Sequence, residues 1–287
     1  MLRTGLLIAA IIFSTAWCFG QQRPLLTDDI DITPPGSVDI GIGVDFFQKA
    51  KFPLSGINGD LTRVGDLRFK GGLAPNVDFQ VEGSLQNFVA INSRGPSAVP
   101  LAFIGNSTND IDDFTLSAKI KLMNESKILP GFGFKAGFQL PNTDEKRGIG
   151  TNQINVFGKL IVQKSFGSVS AGTPRFKAYG NIGLMIMTAP LEQFTQNDVL
   201  LYGLAGIYRI SDHINLASEV NGRISTRASA AALGTESIGQ FRFGAQIKAS
   251  GLRFDTAAAF GLTHASPKSG IVFGVTYQSP SIFPTAK

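Results

Sequence analysis

The chain has 287 residues, 43% of them hydrophobic and 16% charged, with 33 glycines, 23 phenylalanines and a formal net charge of +5. Charge is well below the roughly 25% of soluble domains, yet after the first 20 residues no apolar run is long enough for a membrane-spanning helix. The positive excess is small and dispersed, which argues against a nucleic-acid partner.

Met1–Gly20 reads as a secretory signal peptide. Arg3 supplies the positive start, Leu6–Phe13 the apolar core, and Cys18 and Gly20 the small residues before a cut at Gln21. The bulky Trp17 ahead of Cys18 argues against a lipid-anchored cysteine. The only cysteine leaves with the signal, so the mature chain has neither a disulfide nor a cysteine metal site. Residues 21–37 (QQRPLLTDDIDITPPGS) carry three aspartates and three prolines with no periodicity. They are expected to lack regular structure, either as a hatch inside the fold or as a free tail.

From Val38 to Gln278 the dominant signal is a period of two, the mark of a strand with one apolar and one polar face. The apolar sets begin with Val38–Phe46, Leu67–Leu73 and Val77–Leu85. They continue with Phe114–Leu122, Phe132–Leu140, Ile154–Val162 and Phe176–Leu184. Leu200–Ile210 is apolar on both faces, leaving its orientation open. Ile214–Ile224, Phe241–Ile247, Leu252–Leu262 and Ile271–Tyr277 complete about twelve strands. Connections such as Ala74–Asn76, Ser211–His213 and Ala249–Gly251 are tight, whereas Lys51–Asp60, Asn87–Asp112, Pro141–Asn152 and Ser225–Glu236 are long. Three others, Met123–Gly131, Lys164–Arg175 and Thr263–Ser269, blur this sorting. Short turns at one rim and long loops at the other distinguish a membrane barrel from a soluble sandwich. The expected fold is an all-β, transmembrane antiparallel up-and-down β-barrel of about twelve strands over 38–278, with a tail at 279–287.

In a barrel the polar face turns inward. The expected lumen-lining residues are Asp45, Asp66, Arg68, Asp78, Glu82, Lys119, Lys121, Lys135, Lys159, Lys177, Glu219, Arg223, Arg242, Arg253 and Asp255. The first three strands carry mostly acids and the fourth to seventh mostly lysines, so one wall is acidic and the next basic. These charges either set up a transverse field or pair across neighbouring strands. Phe79, Phe134, Phe138, Phe243, Phe254 and Phe273 are expected on the lipid face.

Three stretches resemble a known family: RPLLTDDIDITPPGSVDI, LYGLAGIYRISDHINLASEVNGR and AAFGLTHASPKSGIVFGVTY. They look like the outer-membrane transporters associated with meta-cleavage phenol degradation. The resemblance implies a bacterial outer-membrane barrel that passes small, hydrophobic or aromatic molecules by passive diffusion. Its partners would be outer-membrane lipid, small-molecule solutes and the barrel insertion machinery. A closed structural or surface-binding barrel is the alternative, and a lipid-modifying barrel enzyme a third reading. Barrels of this kind usually end on an aromatic, whereas this chain runs past Tyr277 to Lys287.

No catalytic residue, metal site or cofactor is expected. His213 and His264 both fall in predicted turns, and Ser266 beside His264 is explained by turn chemistry. Asn109–Asp113 (NDIDD) lacks the full spacing of a cation loop.

Overall fold

The computed structural model describes residues 24–168, 173–191 and 196–282. The signal-peptide reading of residues 1–20 lies outside them.

Among the described residues thirteen strands follow in chain order. They are β1 (Val38–Phe52), β2 (Ile57–Ala74), β3 (Val77–Arg94), β4 (Ser107–Asp110), β5 (Thr115–Met123), β6 (Gly131–Gln139) and β7 (Asn155–Ser168). After these come β8 (Pro174–Thr188), β9 (Gln196–Arg209), β10 (Ile214–Ser225), β11 (Ile238–Ala249), β12 (Leu252–Gly261) and β13 (Ser269–Gln278). β1 pairs with β13 and β2 with β3, so the sheet closes on itself as a twelve-stranded antiparallel barrel. β4 is an extra piece. The inner half of β3, Val77–Glu82, pairs with β5, while Asn87–Ala90 pair with β4 above the end of β5.

Alternation builds the wall. Phe79, Phe134, Phe138, Phe243, Phe254 and Phe273 are exposed on its outer face, while Asp78, Lys135, Arg242 and Arg253 are buried. β9, apolar on both faces, is oriented by Val199, Ala205 and Ile207, which are buried while Leu204 and Tyr208 are exposed.

Two expected loops, Lys51–Asp60 and Asn87–Asp112, are strand in part. β1 and β2 continue to a four-residue turn at Pro53–Gly56, and β3 runs on to Arg94. Bulges hid this from a period-two reading. The β1–β2 register shifts between Gly41 and Val44 and again between Phe47 and Ala50, with Gly65 at φ 67° and Lys49 at φ 53° nearby. Each bulge reverses which face a side chain takes, so alternation breaks while backbone pairing continues. The extended outer end carries a buried apolar cluster of Phe47, Ala50, Ile57, Leu61, Val89, Ala257, Ala259 and Val272. Leu101, Phe103 and Ile149 from the loops pack against it. At the opposite rim, Ser279 N donates to Val38 O, Val38 N to Ser279 Oγ and Ile282 N to Gly36 O, sealing the β1–β13 seam.

Arg substitutions read the medium around the outer face. In a bilayer, Phe243→Arg at the middle of β11 should cost roughly 2–4 kcal/mol, and Ile247→Arg near its end about 0–1 kcal/mol. Equal losses in denaturant titrations of the refolded protein would place that face in water.

Candidate functional site

The site begins with three lysines. Lys119 on β5 lies opposite Lys135 on β6, which lies opposite Lys159 on β7. Directly opposed like charges destabilise a sheet, and Lys119 and Lys135 are almost wholly buried. Such a row needs anions. The wall provides Asp78, 3.8 Å from Lys119 Nζ, and Glu82, 2.8 Å from Lys135 Nζ.

The remaining anions come from the segment before β1. Residues 24–37 contain no strand or helix, but most are buried against the inner wall. Asp28 carboxylate oxygens meet Lys135 Nζ at 3.2 Å and Lys159 Nζ. Asp29 pairs with Lys119 at 3.1 Å, and Asp31 with Lys177 at 3.3 Å. Lys119 Nζ also donates to the carbonyls of Asp29 and Asp31.

Neutral and anionic wall groups hold the rest of the segment. Glu219 on β10 accepts from Leu26 N at 2.7 Å and from Thr27 N and Oγ1, each at 2.8 Å. Asn181 on β8 accepts from Asp28 N at 2.7 Å and returns a bond to Asp28 O at 2.9 Å. Gln163 accepts from Ile30 N, and Asp78 from Thr33 N. Arg68 donates to Leu25 O and Arg242 to Pro24 O. The Leu25 side chain is fully buried against Tyr179, Ala205, Ile207 and Ala217. Between Pro34 and Pro24 the segment meets groups of β2, β3, β5, β6, β7, β8, β10 and β11, so it spans most of the inner wall. Gly72 permits one end of this path: a Cβ there would collide with the carbonyls of Thr33 and Pro34. At Gly131 a Cβ would strike Ile30.

The other expected lumen residues are placed as follows. Asp45, Asp255 and Arg253 are buried, with Arg253 Nε 3.9 Å from Asp255 and Arg253 donating to Thr276. Asp66 and Lys121 are half-buried. Arg223 sits near the outer mouth, donating to Glu236 O. Sequence reading leaves residues 21–37 as either a hatch or a free tail and expects Lys119, Lys135, Lys159 and Lys177 in the lumen; what it misses is that Asp28, Asp29 and Asp31 pair with those lysines.

Histidines and loop acids are otherwise engaged. His264 Nε2 lies 3.0 Å from Lys51 Nζ, while Ser266 exchanges bonds with Gly239 and meets Thr263. Asp113 accepts from the amides of Asn142 and Thr143, and Asp110 from Asp144 N. Burial pushes the carboxyls of Asp110 and Asp113 up, against the pull of these amides. Among the described residues no group of three or more potential ligands is suited to a metal ion.

Fold and site together define a closed β-barrel of the outer-membrane type, with a chain segment lodged against its inner wall. One solved structure similar to it is an outer membrane channel from Pseudomonas putida F1. It has a TM-score of 0.61 and 14% identity, covering 88% of this chain and 97% of that one. The transport unit of the autotransporter AIDA-I from Escherichia coli gives 0.45 at 9% identity, over 98% of this chain and 97% of that one. The TodX monoaromatic hydrocarbon channel gives 0.36 at 10%, over 86% and 90%. The first likeness establishes the barrel fold; the other two are too distant to carry an argument. No family model and no curated protein matches the chain.

The segment can be displaced sterically or by acid. Gly72→Val should push it off the wall while β2 still forms, read as rapid cleavage near residues 24–35 by proteinase K in the native barrel. Asp28 and Asp29 lie outside the spanning strands. Burial alone would raise their pKa values, but Lys135 and Lys159 beside Asp28, and Lys119 beside Asp29, outweigh it and hold Asp28 well below, and Asp29 below, the usual carboxylate range. Their folded pKa values are depressed, so their contribution is complete above the unfolded value of about 3.9 and is lost as pH falls further. Cleavage of the segment by the acid protease pepsin, relative to an unstructured control peptide, should therefore stay slow above about pH 4 and accelerate below it.

Proposed function

We propose that the protein is a bacterial outer-membrane channel for small molecules, with residues 24–37 as a hatch. The expected lumen-lining residues form its solute path, solutes cross by passive diffusion, and outer-membrane lipid surrounds the wall. The observation that carries this reading is the way the segment is held. From Pro24 to Thr33 it is bonded to wall side chains, while the wall closes through β1–β13 and β2–β3 without it. A plug of that kind leaves without breaking a strand pair. The similarity to the Pseudomonas putida channel supports the outer-membrane setting, and the sequence resemblance favours hydrophobic or aromatic cargo.

A second reading, a permanently closed structural or surface-binding barrel, is favoured by the burial of Leu25, Asp28 and Asp29. Planar-bilayer recording separates the two. Deleting residues 24–35 should raise single-channel conductance several-fold while heat-modifiable gel migration persists. A folded but silent deletion variant would leave the closed barrel.

A further inference from the structure

Beyond the docked segment, toward the rim at Pro53–Gly56, lies a cavity of about 290 Å³. Its lining combines Phe47, Leu61, Ile149 and Ile238 with charged groups that include Arg63 and Arg223. The lining acids already have partners. Asp113 holds the amides of Asn142 and Thr143, Asp112 those of Asp113 and Ser84, and Glu236 that of Gly234. Two of the cations are engaged as well: Lys51 lies against His264, and Arg223 donates to Glu236 O.

Arg63 is different. Among the described residues its side chain makes no hydrogen bond or ion pair, and its buried Nε has no partner. Its cross-strand neighbours are Asp45 and Asn87, whose Oδ1 atoms are also buried without partners. The guanidinium instead sits over the Phe47 ring, 5.7 Å from its centroid. A half-buried guanidinium with free donors beside apolar walls suits one ligand chemistry, a carboxylate on an apolar body. The lysine row deeper in the barrel already holds carboxylates, those of Asp28 and Asp29.

We propose that this cavity binds a small organic carboxylate with an apolar body, its carboxylate on Arg63 and its body against Phe47, Leu61 and Ile238. The same class of anion then competes with Asp28 and Asp29 for Lys119 and Lys135, so that the solute loosens the hatch. The binding half stands alone; the competition half rests on the channel reading.

Benzoate and the neutral benzyl alcohol are the probes, titrated calorimetrically into the detergent-solubilised mature protein. Benzoate should bind more tightly than benzyl alcohol, with about tenfold weaker binding in Arg63→Gln. Arg63→Lys, which keeps the charge but loses the fork, should lie between. Absent binding, equal binding of the two probes, or unchanged benzoate affinity in both Arg63 variants would overturn the cavity assignment. In bilayers, benzoate should raise the open probability of the intact protein and benzyl alcohol should not. If calorimetry holds and the deletion variant conducts, but benzoate leaves gating unchanged, the competition is overturned. If the deletion variant is silent as well, the channel reading has failed and the competition falls with it, while the binding result stands.

Discussion

Repulsion along one row of lysines governs the interior. Lys119, Lys135 and Lys159 are nearest neighbours on three adjacent strands. Like charges directly opposed on adjacent strands destabilise the pairing unless counter-charges sit beside them. Asp78 and Glu82 offset part of this from the wall. The remainder falls to Asp28, Asp29 and Asp31, which belong to no strand. The barrel wall is thus geometrically complete but electrostatically incomplete without the chain that precedes it. The expected acidic and basic walls do not face each other across open space, because the segment lies along the basic one.

Two closures of different chemistry occupy the barrel. The outer one is apolar, built from Phe47, Ile57, Leu61 and Val89 on the strands themselves with loop residues packed on them. Opening it means exposing apolar area that also stabilises β1, β2 and β3. The inner one is polar, and its bonds can be exchanged for water and ions. Leu25 in its apolar socket is the part of the segment that water does not replace. On the proposed channel reading, this difference makes the segment, and not the outer cluster, the movable element.

Most of the wall was legible because its inner and outer faces alternate cleanly, as in Lys119 against Ile120 or Arg242 against Phe243. It became illegible where bulges reverse the alternation. Arg63 and Arg68 lie five residues apart, on opposite parity, yet both belong to the inner side, because Gly65 stands between them. A strict period of two keeps Arg68 and loses Arg63. Between hatch and free tail the sequence could not choose for another reason: a run such as TDDIDI has no local structure that fixes where it lies. The only hint was an excess of inward lysines on β5 to β8 with too few acids beside them. Which acids answer that excess is a matter of long-range packing, and no periodicity encodes it.

Glu219 gathers three donors from Leu26 and Thr27 across more than 190 residues of chain. This separation has a consequence for assembly. The segment precedes every barrel strand in the chain, but its sockets on β10 and β11 are made nearly last, and β1 waits longer still for β13. Until then the aspartates have no lysine row to meet and the chain ahead of β1 stays free. Seating of the segment therefore reports that the wall is whole: a barrel with a missing or misregistered late strand lacks the sockets that bury residues 24–33.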